Sequence, residues 1–454
     1  MFGKTEHIHF SGIGGIGMSG LATIMRNLKF KVSGSDIQRS EITRRLEKKG
    51  VKISYRHKKE NILGADVVVY STAIDENNPE LIEARRLNVP LIHRGELLAE
   101  LTRMKVSICI SGTHGKTTTT SMVSEVLQEG GLSPTAVIGG IVKGKSQARL
   151  GRGEYLVCEV DESDKSFLKL FPSYVVITNI EAEHLDHYKD LDEIKESFIY
   201  FAMHTPFWGC ILLGVDSVAS LDIRERIPKR IIPYGFNELA ILRGENIQRS
   251  NFGSSFDVRY QNMLVGNFKL NLPGKHNISN AIAAIGIGLE LGITTSKIKR
   301  ALEEFRGVRR RIENIGEVAG IKIFDDYGHH PTEIAVTLQT IREYFPNRRI
   351  ISVFQPHRYT RTYHLFDNFA IAFLRADIVV ITEIYAAHEL PIPGVDGESL
   401  AKRIGKEQEA VHFIPDFDSI IAFLKKILQP NDIVVIQGAG NINQITKRLV
   451  RELK

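Results

Sequence analysis

The sequence predicts an α/β protein of about three domains, with parallel sheets covered by helices on both faces. Its length of 454 residues corresponds to roughly three domains of about 150 residues each. Short apolar runs such as VVVYST, YLVCEV and DIVVITEI alternate with helical periods, which is typical of buried parallel strands. Three of these strands lead directly into loops that open helices, and ligands bind at such bends.

Composition and charge narrow the classes of function. Apolar residues make up 43% and charged residues 25% of the chain, which excludes disordered and fibrous proteins. The net charge of +6 is spread along the chain without a basic tract. Aromatic residues are not interleaved with the basic ones as they are in grooves for single-stranded nucleic acid. Small anionic ligands therefore fit the charge better than a nucleic acid does.

The cysteines and the apolar segments predict the compartment. Cys109, Cys158 and Cys210 form no CxxC pair, so neither a disulfide framework nor a zinc knuckle is expected. The N-terminal sequence MFGKTEHIHF has no apolar signal region. No apolar run approaches the ~18 residues that a membrane helix needs. We therefore expect a cytoplasmic protein that has no membrane partner.

The first strand–loop–helix unit has its strand at 7–11 and its helix at 21–28. The loop fits the pattern G-x-G-x-x-G with Gly12, Gly14, Gly15 and Gly17, and Asp36 follows about 20 residues later. Such glycines let the backbone approach a diphosphate, but they do not specify which one. A nicotinamide dinucleotide is one possibility, and the second loop described next makes it the weaker one.

The second unit has its strand at 106–110 and its helix at 121–129. Between them lies GTHGKTT, a shorter variant of the phosphate-binding loop in which Ile110 stands where the usual pattern has its first glycine. Backbone N–H groups of such a loop bind phosphate oxygens. Lys116 would reach the β- and γ-phosphates, and the Thr117 hydroxyl would bind Mg²⁺.

Two acidic segments follow later strands of the same region. EVDESD, at 159–164, places four carboxylates in six residues, and their repulsion favours a Mg²⁺ ion nearby, although a solvated turn is the simpler alternative. After the strand that ends in TNI, His184 lies among carboxylates. Its spacing fits a Mg²⁺ ligand and a salt-bridged loop histidine equally well.

Further polar sets stand at helix starts and strand ends. His276, Asn277 and Asn280 begin an alanine-rich helix and would either read a purine or cap the helix. DDYGHHPTE, at 325–333, lies between a strand and a helix. The third unit has its strand at 349–354, the loop QPHRYTRT and its helix at 366–373. Arg358 and Arg361 in this loop suit a carboxylate or a phosphate.

Two boundaries divide the chain. One follows the helix ELLAELTRM, and the other lies at the arginine cluster 309–311. We therefore predict domains at 1–102, 103–312 and 313–454, all of ordinary size.

The motifs together resemble the Mur ligase family. SGTHGKTTTT, EVDESDKSFL, TNIEAEHLDHY, LPGKHNISNAIAA, GVRRRIE, DDYGHHPTE and FQPHRYTRT occur in this order and cover nearly the whole chain. The resemblance implies an N-terminal Rossmann-like domain that holds a UDP-sugar, a central P-loop ATPase domain with a mostly parallel sheet, and a C-terminal Rossmann-like domain that closes on both. In TNIEAEHLD, Glu183 replaces the aspartate that is usual in the family.

The resemblance also implies an activity. It is that of an ATP-dependent ligase that joins L-alanine to the lactyl carboxylate of UDP-N-acetylmuramate through an acyl phosphate, in peptidoglycan precursor synthesis. ATP and Mg²⁺ would be its cofactors. A ligase that joins the same sugar nucleotide to a preformed tripeptide is the alternative. The sequence is compatible with both a monomer and a homodimer.

The site residues that the resemblance implies fall into four groups. The catalytic residues are Lys116, His329, Arg358 and Arg361, where His329 would orient or deprotonate the amine and the arginines would anchor the carboxylate of alanine. The ATP-binding residues are Gly112, Thr113, His114, Gly115, Lys116, Thr117, Thr118, His276, Asn277, Asn280, Arg310 and Asp326. The substrate-binding residues are Gly12, Gly14, Gly15, Gly17, Ser35, Asp36, Ser71, His93, Arg94 and His357. The metal ligands are Thr117, Glu162 and His184.

Overall fold

Three separate sheets with helices packed on them make up the computed structural model of the chain. It describes residues 3–143, 148–183 and 187–453. The predicted α/β architecture is confirmed: the first sheet is parallel, the second is mostly parallel and the third is mixed. Within the described ranges, no helix is long and apolar enough to cross a membrane.

The first sheet has five parallel strands in the order β3-β2-β1-β4-β5. The strand order reverses between β1 and β4, and the GIGGIG loop leaves β1 at this switch point, where ligands bind in such sheets. Helix α1 begins at Ile16, earlier than predicted, because Gly17 and Gly20 belong to the helix and not to the loop. In chain order the elements are β1 (His7–Ser11), α1 (Ile16–Asn27), β2 (Lys31–Ser35), α2 (Glu41–Lys48), β3 (Lys52–Ser54), β4 (Val67–Tyr70), α3 (Pro79–Arg86), β5 (Leu91–His93) and α4 (Arg94–Arg103).

The second sheet has ten strands in the order β15-β14-β13-β12-β11-β10-β6-β9-β7-β8. Its centre is parallel, and the antiparallel strands β13, β14 and β15 extend one edge. Helix α5 begins at Lys116, directly after the glycine loop and five residues before the predicted start. The elements are β6 (Val106–Ser111), α5 (Lys116–Glu129), β7 (Thr135–Val137), β8 (Ala148–Arg149), β9 (Tyr155–Glu159), β10 (Tyr174–Ile177), α6 (Leu191–Met203), β11 (Cys210–Gly214), α7 (Val218–Arg224), β12 (Ile231–Gly235), β13 (Leu242–Ser250), β14 (Gly253–Tyr260), β15 (Met263–Leu270), α8 (Lys275–Glu290) and α9 (Thr295–Glu303).

The third sheet has six strands in the order β16-β17-β21-β18-β19-β20, and only β16 pairs antiparallel. The QPHRYTRT segment, predicted as a loop, contains the short helix α11. The elements are β16 (Glu313–Val318), β17 (Ile321–Asp326), α10 (Pro331–Tyr344), β18 (Ile350–Phe354), α11 (Tyr359–His364), α12 (Phe366–Ala372), β19 (Ile378–Ile381), α13 (Gly397–Ile404), β20 (Val411–Phe413), α14 (Phe417–Ile427), β21 (Ile433–Gln437) and α15 (Asn443–Glu452).

The apolar cores show how the three parts are joined. One buried cluster runs from Phe10 and Leu97 in the first part to Val137 and Phe167 in the second, so these two parts share a core. The third sheet buries its two faces in clusters of its own. Burial of shared apolar surface therefore fixes the first part on the second more firmly than it fixes the third.

An aromatic contact connects the second and third parts. The hairpin between β13 and β14 turns at Asn251 and Phe252, with φ of 48° and 60°, as two-residue hairpin turns require. The Phe252 ring lies 5.2 Å from that of Phe324 and 5.6 Å from that of Phe345. Positive φ is unfavourable for phenylalanine, so this packing offsets the strain of the turn.

Candidate active site

The phosphate-binding loop is held open by its neighbours. Gly112 and Gly115 have φ of 124° and 83°, and the end of strand β10 binds the loop between them. The Thr178 hydroxyl donates to the His114 carbonyl at 2.6 Å, and the Thr113 N–H donates to the Asn179 carbonyl at 3.0 Å. These bonds fix the backbone of the loop, and the N–H groups that follow at the start of α5 would face a phosphate.

We expect Gly112→Ala to raise the KM for ATP at least about tenfold, because the close contact forces the loop to move. A Cβ at this position would lie 2.2 Å from Thr178 Oγ1. The matched control is Gly131→Ala, which has a similarly positive φ of 89° but no atom within 4 Å of its Cβ. Steady-state kinetics on both variants measures the difference, and equal KM values for ATP would contradict the expectation.

Lys116 lies folded back onto its own loop. Its Nζ donates to the carbonyls of Gly112 at 2.6 Å and Thr113 at 3.0 Å, and to Glu162 Oε1 at 2.8 Å. Burial opposes its charge, but the carboxylates of Glu162 and Asp161 raise the pKa of Lys116 above its ordinary value. The lysine is therefore charged and within reach of a phosphate in this loop.

Thr117 bonds to the carboxylate of Glu159, which was not among the predicted metal ligands. The Thr117 hydroxyl donates to Glu159 Oε1 at 3.0 Å, and the N–H of Gly139 donates to Glu159 Oε2 at 2.7 Å. Glu162, which was selected, pairs with Lys116 instead. Glu159 is the last residue of β9, next to β6 in the sheet, and this strand-end position is the signal that could have identified it.

The acidic turn 159–164 joins the first and second parts. Arg94 Nη2 lies 3.0 Å from Asp161 and 3.4 Å from Asp164, and His93 Nε2 lies 3.8 Å from Asp164. The crowded carboxylates are thus offset by Lys116 and Arg94, which are the first residues of helices α5 and α4.

The predicted substrate residues of the first part gather at one edge of its sheet. Gly12, Asp36, Ser71 and His93 end or follow β1, β2, β4 and β5, and these strands are parallel. The Gly14 N–H donates to Asp36 Oδ2 at 2.8 Å. A Cβ on Gly17 would lie 3.1 Å from Arg94 Nη1, so Arg94 lies beside the first turn of α1, directly after the glycine loop. Ser35 is buried, and its hydroxyl donates to the buried carboxylate of Glu80 at 2.7 Å and not towards a ligand at this edge.

A cavity of about 1090 Å³ lies between the second and third parts. Asp216, Phe236 and Asn237 line it although sequence analysis missed them. They follow β11 and β12 at the same sheet edge as the phosphate loop, so strand order was the missing information. Residues predicted for ATP that also line it are His114, Gly115, Thr117, Thr118, His276, Asn277, Asn280 and Asp326.

Two predicted nucleotide contacts have other partners. Arg310 bonds to the Gly438 carbonyl and lies 3.4 Å from Asp325 Oδ1, whereas its neighbour Arg311 lines the cavity. The Asp326 carboxylate accepts N–H groups of Ile312 and Gly328, each at 2.8 Å. Asp326 thus fixes the DDYGHH turn while one side of it borders the cavity.

Acidification is expected to destabilise the protein partly through His276. Burial, with the charge of Arg311, lowers the pKa of His276 from 6.5 to about 4. Between pH 6.5 and pH 4 the unfolded state therefore binds a proton at His276 that the folded state does not bind. The stability is therefore fully present above pH 6.5 and is lost as the pH falls towards 4. The Tm of His276→Gln should fall less than that of the wild type between pH 7 and pH 5, and parallel falls would refute this assignment.

A further polar cluster lies where the third part meets the second. Arg361 Nη2 lies 3.5 Å from Glu183 Oε1, and Arg361 Nη1 lies 3.2 Å from His357 Nδ1. The rings of His329 and His357 are 5.8 Å apart. Burial and Arg361 lower the pKa of His329 to about 4, so its ring is neutral. Arg358 lies farther out, with its Nε 3.9 Å from Glu389.

Of the predicted metal ligands, His184 lies outside the residues that the structure describes. The Thr117 hydroxyl bonds to Glu159 and the Glu162 carboxylate pairs with Lys116.

Comparison with known proteins agrees with this arrangement. Three family descriptions match successive segments: the Mur ligase family catalytic domain at 7–106, the Mur ligase middle domain at 110–288, and the Mur ligase glutamate ligase domain at 310–440. A UDP-N-acetylmuramate–L-alanine ligase of Geotalea uraniireducens is 48% identical over 100% of this chain and 99% of its own length. One of Desulfatibacillum aliphaticivorans is 49% identical over 98% of each chain.

Solved structures of similar proteins have the same fold as this chain. A UDP-N-acetylmuramate–alanine ligase from Thermotoga maritima superposes with a TM-score of 0.84 at 31% identity, covering 98% of both chains. A murein peptide ligase from Psychrobacter arcticus superposes with a TM-score of 0.73 at 26% identity, again over 98% of both chains. With its three loops in place and relatives that match its whole length, the chain belongs to the Mur ligase family.

Proposed function

We propose that the chain is an ATP-dependent ligase that joins L-alanine to the lactyl carboxylate of UDP-N-acetylmuramate, releasing ADP and phosphate, in peptidoglycan precursor synthesis. The observation that carries this proposal is the acidic turn 159–164. It contacts Lys116 of the phosphate loop on one side and Arg94 beside the diphosphate loop on the other. Nearly half-identical relatives that match the whole length and carry this name support the choice of substrates.

We assign one task to each predicted domain. Residues 1–102 would hold the sugar nucleotide, 103–312 would hold ATP, and 313–454 would hold the amino acid and close the site. The glycine loop at Gly12 would then bind the diphosphate of UDP, with the same backbone chemistry that a dinucleotide would use.

The chemistry must first activate a carboxylate. A carboxylate oxygen would attack the γ-phosphorus of ATP and expel ADP, leaving an acyl phosphate. Since two anions meet in this step, the charge of Lys116 and the N–H groups of the loop would offset their repulsion. Contacts between the second and third parts would exclude water from the acyl phosphate.

The amine of alanine would then attack the acyl carbon and expel phosphate. The neutral ring of His329 is suited to orient that amine through a hydrogen bond, whereas a pKa of about 4 makes it a weak acceptor for the proton of the amine. The guanidinium of Arg361, with Arg358 farther out, is suited to the alanine carboxylate. His357 would help to hold Arg361 in place.

Mg²⁺ fits one pair of residues in this site. The Thr117 hydroxyl and the Glu159 carboxylate lie 3.0 Å apart, and such oxygen donors are those that Mg²⁺ prefers. When bound, the ion would neutralise charge on the phosphates. Glu162 would become available to it once Lys116 turns to the nucleotide.

ADP release in the presence of UDP-N-acetylmuramate and Mg²⁺ tests the proposal. L-Alanine, glycine, L-serine and a cell-wall tripeptide are compared as amines. We expect the highest kcat/KM with L-alanine. Preference for the tripeptide would replace the proposal with the tripeptide ligase, and no ADP release with any amine would overturn both.

A further inference from the structure

Two histidines and a carboxylate from three segments meet beside the nucleotide cavity. His114 belongs to the phosphate loop, Glu181 follows β10, and His330 stands at the N-terminus of α10 in the third part. Ligand atoms of all three lie within 4.8 Å of one another. The first two residues are partly buried and His330 is 5% exposed.

The buried ring of His330 has an unused nitrogen. Its Nδ1 accepts a long hydrogen bond of 3.3 Å from the Thr332 N–H. Its Nε2 has no hydrogen-bond partner within the described part of the chain. His114 Nε2 likewise makes no hydrogen bond there, although it lies 3.5 Å from Glu181 Oε2. Buried nitrogens without partners are unfavourable, and a bound cation would satisfy both.

We propose that His114, Glu181 and His330 form a site for a divalent transition-metal ion of the zinc class. Two imidazoles and one carboxylate are a donor set that zinc, cobalt and nickel ions favour, whereas Mg²⁺ prefers oxygen ligands only. The site is distinct from the Mg²⁺ position proposed at Thr117 and Glu159.

The surroundings already favour positive charge at this position. Glu333 Oε1 lies 3.4 Å from His114 Nδ1, so it would support the ring as carboxylates do behind metal-binding histidines. The carboxylates of Glu181 and Glu333 outweigh burial and raise the pKa of His114 to about 10. The metal ion would replace the proton on His114 Nε2, which leaves to solvent. On His330 the ring proton would move to Nδ1, and the weak bond from Thr332 would be lost.

The proposed metal site joins the second and third parts, so an ion bound there would restrict their relative movement. His330 is in the third part, while His114 and Glu181 are in the second. A metal ion bound by all three would hold the phosphate loop against the third part. We therefore expect Zn²⁺ to slow turnover by hindering the exchange of nucleotide.

Titration of the nucleotide-free full-length protein with Co²⁺ tests the site, because tetrahedral Co²⁺ has visible ligand-field bands. Excess Mg²⁺ is present to occupy oxygen-only positions. We expect the bands to appear with the wild type and to vanish when Zn²⁺ is added. His330→Asn should weaken Co²⁺ binding at least about tenfold, since asparagine still caps the helix but offers no imidazole.

His412→Asn is the matched control, because His412 is exposed in β20 of the same part; it should leave Co²⁺ binding unchanged. Glu181→Gln is a second variant; it removes the carboxylate ligand but keeps an amide oxygen that can still accept the hydrogen bond from the Thr332 hydroxyl of α10, and it should also weaken Co²⁺ binding at least about tenfold. Absence of the bands in the wild type would overturn the proposal. So would unchanged Co²⁺ affinity in both His330→Asn and Glu181→Gln.

Discussion

Replacing Lys116 by alanine is expected to lower kcat for ADP release at least about 10³-fold while leaving the binding of UDP-N-acetylmuramate nearly unchanged. The lysine supplies the positive charge at the point where the carboxylate and the γ-phosphate would meet, and such charge acts mainly on the transition state. The sugar nucleotide would bind at the first sheet, which Lys116 does not contact. Coupled detection of ADP and calorimetric titration with UDP-N-acetylmuramate measure the two effects.

Removal of Lys116 also leaves Glu162 without its buried cation, which could unfold the loop. The Tm of the double variant Lys116→Ala, Glu162→Gln, which removes both charges, shows whether the unpaired carboxylate destabilises the single variant. Lys169→Ala serves as the control, because Lys169 is an exposed lysine that pairs with Glu96. Normal turnover in the Lys116 variants would refute the role assigned to this residue.

Replacing Arg361 by alanine is expected to raise the KM for L-alanine about 100-fold or more. Removing one partner of a desolvated, hydrogen-bonded charge pair weakens binding by about 3 kcal/mol. Arg361 has a nearly buried guanidinium beside Glu183 and His357. The KM for UDP-N-acetylmuramate should change less than about twofold, because that ligand would contact other loops.

Two further variants make this expectation specific. Arg361→Lys keeps the charge but not the planar pair of donors, so it should restore only part of the affinity for alanine. Arg403→Ala removes an arginine of the same part that pairs with Asp367 and Glu407 at the surface, where ion pairs contribute little. If Arg361→Ala and Arg403→Ala gave the same KM for alanine, Arg361 would not bind the amino acid.

The sequence allowed prediction of features that depend on neighbouring residues. The three strand–loop–helix units and the phosphate loop with Lys116 follow from local patterns, because a glycine bend after a buried strand fixes both the chain direction and the loop chemistry. Helix starts were less accurate. In α5 the hydroxyls of Thr120 and Ser121 donate to the carbonyls of Lys116 and Thr117, each four residues earlier, so these side chains are satisfied inside a helix that a run of threonines does not predict.

Features that depend on side-chain direction or strand order were not predictable. Arg310 and Arg311 are adjacent, yet the φ of 58° at Arg310 turns its side chain away from the cavity. Glu159 and Glu162 lie in one motif, and only the pairing of β9 with β6 shows which one meets Thr117. Asp216 and Asn237 enter the cavity because β11 and β12 follow β10 in the sheet, an order that no local pattern contains.

The aromatic contact of Phe252 implies a particular kind of motion for the third part. The contact consists of rings that neither gain nor lose charge and that belong to no predicted ligand site. Other contacts between the second and third parts include the pair of Arg361 with Glu183, which are polar groups that substrates would engage. A ligand that enters can replace the polar contacts one by one, whereas nothing in the reaction replaces the rings. We therefore expect Phe252 to act as a pivot, so that the proposed opening of the third part would be a rotation about the hairpin and not a separation of the two parts.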